Sequence, residues 1–173
     1  MKEILVALAT YNRDASHALC ELLSRQDDTL LREEQGSFYK SILGTLEHIA
    51  QGEIGWLRRF KGFYSYPSLS SAPLLACSPD EATVMIKAGF PGLRETLATL
   101  DGLLLSFAKE LDEATLHGRM KFKNFKGEDL ERDYWNLVLH ILNHGTHHRG
   151  EISALLDRKG VANDYSGFNL YTR

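Results

Sequence analysis

Cysteine is scarce: the 173-residue chain holds two, Cys20 and Cys77, too few for the disulfide lattice that staples small secreted domains. Positive charge is not in excess either. Twenty Lys and Arg stand against twenty-three Asp and Glu, a formal charge of −3, and no basic run appears. That balance argues against nucleic acid as a partner, because non-specific affinity comes from neutralised phosphates. Long apolar runs are missing: Leu103, Leu104 and Leu105 are soon followed by Lys109 and Glu110, far short of the roughly 18–20 residues that span a bilayer. No membrane partner is expected. The chain also lacks a nucleophile elbow, a phosphate-cradling glycine loop and a convincing internal repeat. No signal-peptide pattern precedes the first apolar periodicity, so the expected setting is a reducing cytoplasm.

What remains is an ordinary globular composition, 43% hydrophobic and 25% charged, in a chain of the size of a single domain, residues 1–173. Apolar residues recur at helical spacing in the first stretch, from Lys2 to about Ser24, at Leu5, Leu8, Ala9, Ala15, Leu19 and Leu22. After a polar link over residues 25–36, a second helix is predicted from Ser37 to Phe60, with His48 in its middle. Serine and proline between Tyr64 and Pro73 predict a loop. Ser78-Pro79-Asp80-Glu81 reads as a capped start to a third helix that reaches about Leu111 and bends near Pro91. Met120, Phe122 and Phe125 alternate with lysines between Thr115 and Glu128, which predicts a small hairpin or extended loop. The last helix is predicted from about Glu131 to Arg158, before Gly160, with the tail from Val161 extended over the surface. The fold class is therefore all-α.

Four of the seven histidines crowd into His140-Ile141-Leu142-Asn143-His144-Gly145-Thr146-His147-His148. At about 100° per residue from Tyr134, the residues Val138, Ile141, Ile152, Leu155 and Leu156 mark the core face. His148 projects about 40° from that direction and His144 about 80°, while His140 and His147 lie about 120° and 140° away. The inward pair is thus His144 and His148. An i, i+4 pair stacks two imidazoles on one helix face, so that both can reach one ion. A third ligand has to come from another element, and His48 is the natural candidate. On its own helix His48 lies on a flank with Ser41, Gly44, Thr45, Gly52 and Gly55, small residues that allow a close approach or leave open space. HxxxH alone is a weak signal. Glu151 falls on the same side as the pair and is a candidate to orient an imidazole or to act as a catalytic base; Arg149 reads as a structural or surface charge.

The chain resembles the DinB family of DNA-damage-inducible-type bacterial proteins, the group that includes YfiT-like metal-dependent hydrolases. The resemblance runs nearly end to end. It is carried by Tyr11-Asn12, by the stretch Ser37-Phe38-Tyr39-Lys40-Ser41 to His48-Ile49, by Trp56-Leu57 and Phe60-Lys61-Gly62, and most specifically by His140 to Ile152. It implies an up-down-down-up four-helix bundle, often a homodimer, with nickel, zinc or a similar divalent metal ion held by His48, His144 and His148. Asp14 stands where family members often have tryptophan, and Glu151 where glutamine is common.

Three neutral imidazoles leave a divalent ion its charge and at least one open position, as in catalytic sites more than closed structural ones. The resemblance extends to thiol-dependent transferases. The expected function is therefore metal-dependent hydrolysis or thiol transfer on a small-molecule or thiol substrate. The alternative is a non-catalytic metal-binding or stress-response protein, since fold analogy does not assign a reaction.

Overall fold

The computed structural model describes residues 1–124, 126–164 and 167–171. Four long helices dominate it: α1 (Lys2–Leu23), α3 (Ile42–Phe63), α7 (Phe90–Glu110) and α9 (Tyr134–Asp157). Each has an apolar stripe at three- and four-residue spacing, and that stripe is what it buries. In α1 it is Leu5, Ala9, Leu19 and Leu23; in α3, Ile42, Leu46, Ile49, Leu57 and Phe60. In α7 it is Leu93, Leu97, Leu100 and Leu104; in α9, Tyr134, Val138, Ile141, Ile152 and Leu156. α1 packs on α7 and α9, and α3 packs on the same two. A stacked pair, Phe60 and Phe107 with centroids 5.0 Å apart, and Tyr134 edge-on to Phe60 lie in this core.

Several connections differ from the sequence reading, each for a local reason. The second long helix starts at Ile42, not Ser37, because the Ser41 hydroxyl accepts from the Gly44 amide at 3.0 Å and caps it there. Ser37 to Lys40 instead close a tight turn, with Lys40 at φ 70. The polar link holds a short helix, α2 (Asp28–Arg32), and the proline-rich loop holds two more, α4 (Pro67–Ser70) and α5 (Pro73–Ala76), each with proline in its first turn. The predicted third helix is two helices, not one bent at Pro91. α6 (Pro79–Ile86) starts with a Ser78–Glu81 capping box; the chain then turns at Gly89, φ 84, and α7 restarts with Pro91 in its first turn.

After a short α8 (Glu113–Leu116), β1 (Arg119–Lys123) pairs antiparallel with β2 (Asp129–Asp133), so the expected hairpin forms. Its second strand takes residues assigned from sequence to the last helix, which therefore begins at Tyr134 and not Glu131. Met120 points into the core and Phe122 packs edge-on to Trp56 at 5.4 Å; Phe125 lies outside the described residues. The tail is not simply extended. A 3-10 turn over Phe168–Leu170 brings Phe168 and Tyr171 edge-on to Tyr11.

Candidate metal centre

α3 and α9 approach closely where α3 carries Gly52. A Cβ at that position would lie 2.8 Å from Cε1 of His144, inside the contact limit, so the glycine makes the room that the imidazole fills. The flank of small residues read from sequence thus serves the close approach. Across it, Nε2 of His144 comes to 3.0 Å from Nε2 of His48. The third ring, His148, lies edge-on to both, with centroids 4.7 Å from His48 and 4.4 Å from His144. One ring nitrogen from each of the three lies within 4.8 Å of the other two. Two ligand nitrogens about 2.05 Å from a shared ion stand about 2.9 Å apart at a right angle and about 3.3 Å apart at the tetrahedral angle. The His48–His144 spacing fits that range.

Neighbours fix each ring. His148 is buried, and its Nδ1 lies 2.7 Å from Glu151 Oε2; donating there commits the proton to Nδ1 and leaves the Nε2 lone pair free. The other carboxylate oxygen of Glu151 faces Nε2 of the exposed His147 at 3.3 Å. His48 is stacked under Tyr39, with centroids 3.9 Å apart at 17°, and the Tyr39 hydroxyl reaches its Nε2 at 2.8 Å. His140 lies against Trp56 and is not one of the three grouped nitrogens. The same holds for His147, as the helical projection implied, although His147, His148 and Glu151 form a second, more exposed grouping.

Electrostatics favour the ligand form. Burial, then the neighbouring imidazoles, push the His144 pKa down to about 3, and burial followed by His148 lowers that of His48. Both rings are therefore neutral at neutral pH, with lone pairs that metal binding needs not deprotonate. Buried Nδ1 of His144 has no hydrogen-bond partner among the described residues. Burial, assisted by Glu151, raises the Tyr39 pKa, so the phenol keeps its proton.

A pH dependence follows. His144 titrates near 6.5 when unfolded and about 3 when folded. Its contribution to stability is complete above the unfolded value and drains away as pH falls toward the folded one. Asp101, pushed up to about 7, and Glu53, also raised, act in the opposite direction over part of that window, so the comparison has to be with a variant. In chelator-treated protein, the melting temperature of the wild type should fall relative to His144→Gln between about pH 7 and 4; parallel curves would show that this ring is not held neutral.

The family model for the DinB family matches residues 1–171. The chain belongs to the DinB family. It is 25% identical, over 171 residues, to Protein DinB of Bacillus subtilis (strain 168), covering 99% of this chain and 95% of the relative. No solved structure matches.

This DinB-family chain also has a buried polar cluster that the sequence reading missed. All four long helices contribute: Asn12 and Ser16 from α1, Glu53 from α3, Asp101 from α7 and Arg149 from α9, none more than 8% exposed. Of the two readings of Arg149, structural or surface charge, its burial supports the structural one. Its Nη1 donates to Asn12 Oδ1 at 2.6 Å and to Ser16 Oγ at 3.3 Å, and its Nη2 to Thr146 Oγ1 at 3.2 Å. Asn12 Nδ2 in turn donates to Asp101 Oδ1 at 3.0 Å and Glu53 Oε1 at 3.4 Å. Burial raises both carboxyl pKa values while Arg149 opposes the rise. One guanidinium faces two carboxyls, and the low-dielectric answer is for Glu53 to keep its proton. Helical arithmetic contains the signal: Glu53 projects about 20° from Ile42 and Arg149 about 60° from Tyr134, both on core faces.

Proposed function

We propose that this DinB-family protein binds one divalent metal ion through His48, His144 and His148 and uses it on a small-molecule or thiol substrate. The proposal includes the architecture: a single domain, residues 1–173, in which α1, α3, α7 and α9 form an up-down-down-up four-helix bundle that pairs as a homodimer in the cytoplasm. The supporting observation is the meeting of three imidazole nitrogens from two helices within 4.8 Å. The donor set suits nickel or zinc, both of which accept imidazole.

When bound, the ion supplies a Lewis-acid charge that lowers the pKa of a water or thiol at its open position. The chain's own residues prepare for that. Gly52 and the α3–α9 contact set the distance between rings, and burial keeps His144 and His48 neutral. Glu151 holds His148 in one tautomer. This makes Glu151 a positioning residue and leaves the role of base weaker, because both of its oxygens face histidines. A largely apolar groove of about 660 Å³ lies elsewhere, lined by Leu74, Cys77, Met85 and Leu103 and not by the three histidines. A reacting substrate therefore approaches the histidines from another side.

Two activities fit: hydrolysis, and transfer of a low-molecular-weight thiol to an electrophile. The experiment is turnover by nickel- or zinc-loaded protein on a panel of small thiols paired with electrophiles and on activated esters and amides. The expected result is metal-dependent turnover that His48→Ala abolishes. Tight metal binding without turnover on any pair would instead assign a non-catalytic metal-binding or stress-response role.

A further inference from the structure

Tyr39 is outside the helical periodicities that located the histidines, yet its hydroxyl lies 2.8 Å from the same Nε2 of His48 that faces His144. Its position is built. The turn that carries it is closed by the Gln35 amide on the Lys40 carbonyl at 2.8 Å and the Lys40 amide on the Ser37 carbonyl at 2.9 Å. A Cβ at Gly44 would collide with the Tyr39 carbonyl oxygen, so the start of α3 accommodates this backbone only with glycine there. The ring is stacked on His48 and edge-on to His148 at 5.4 Å, which makes it one wall of the site. Its neighbour Phe38, 89% exposed, lies edge-on to it at 4.9 Å. The wall therefore stands at the surface.

In the Nδ1–H tautomer, the one able to bind a cation through Nε2, His48 Nε2 has one lone pair, and the Tyr39 hydroxyl donates to it. If that lone pair is given to a cation, the Tyr39 hydroxyl loses its acceptor while its ring remains stacked in place. A donor without an acceptor at a partly buried position is costly, and a small anion held beside the three histidines would supply a new one. Packing alone requires only the ring.

We infer that Tyr39 is a ligand-contacting residue of the site, whose hydroxyl donates a hydrogen bond to an anionic group bound at the open position. The inference rests on the metal reading above and specifies how that site recognises what it binds: through a phenolic donor suited to a thiolate, carboxylate or hydroxide.

The test uses the full chain, stripped with chelator and reloaded with cobalt(II), as wild type and Tyr39→Phe. Azide is the probe anion, followed by the visible cobalt absorption. Tyr39→Phe should take up cobalt as tightly as the wild type or more so, because the hydroxyl no longer competes for His48. Its azide dissociation constant should rise about 10–100-fold, the usual worth of a hydrogen bond to a charged group. Equal azide affinities in two proteins that both hold one cobalt would overturn the role of Tyr39 and leave the metal site standing. A wild type that takes up no cobalt would overturn both. Cobalt uptake by the variant also reports that it is folded.

Discussion

Arg149→Met is expected to destabilise the protein by about 3–5 kcal/mol at pH 8, the usual penalty for removing one member of a buried charge pair. Against a typical total of about 5–15 kcal/mol this is a severe loss. The guanidinium is 2% exposed and donates to Asn12, Ser16 and Thr146, so methionine fills much of the volume but leaves those acceptors and the Asp101 carboxylate uncompensated. Asp101 can escape by taking up a proton. Its folded-state pKa, already raised to about 7 by burial, rises further without the guanidinium. A carboxyl with a raised folded pKa stabilises the fold more as pH falls through that value, so the deficit should be clearly smaller at pH 5 than at pH 8. Glu53→Gln is the control. Glu53 is held well above its ordinary pKa, chiefly by burial, so the amide should replace a protonated carboxyl at little cost. Urea denaturation at the two pH values measures all of this. A deficit under about 1 kcal/mol, the same at both, would mean that the cluster is not an ionic one.

The four long helices were legible in the sequence because each buries one stripe, and a stripe leaves a period. Their junctions were not. Ser41 caps α3 four residues after Ser37, and nothing in the apolar rhythm separates a residue that caps from one that merely precedes a helix. Pro91 was read as a bend inside one helix, but α6 already ends at Ile86, and Gly89, with its positive φ, precedes a second helix whose first turn holds Pro91. Of the site, His144 and His148 were distinguished from His140 and His147 by angle alone, since an i, i+4 pair on a packed face has only one direction to point. His48 came from the need for a third ligand and from the family resemblance; its own projection of about 120° off the core direction was ambiguous. Tyr39 left no periodic trace because it sits in a turn. The buried cluster was missed for a different reason: the stripes were read from apolar residues alone, although Asn12, Glu53 and Arg149 sit on the same faces.

The central claim is that His48, His144 and His148 hold one metal ion together, and its consequence is all-or-none. His144 meets both of the others, its Nε2 3.0 Å from that of His48 and its ring centroid 4.4 Å from that of His148. Without it, two imidazoles remain, and two ligands seldom retain an ion through purification. Glu151→Ala provides the graded comparison: all three rings stay, but His148 loses the carboxylate that orients it, a change that typically costs about 10–100-fold in metal affinity. The decisive measurement is elemental analysis of the purified, nickel- or zinc-supplemented proteins after dialysis. The account predicts about one metal ion per chain in the wild type, a reduced and dialysis-sensitive content in Glu151→Ala, and almost none in His144→Ala. Equal metal content in the wild type and a folded His144→Ala would contradict it.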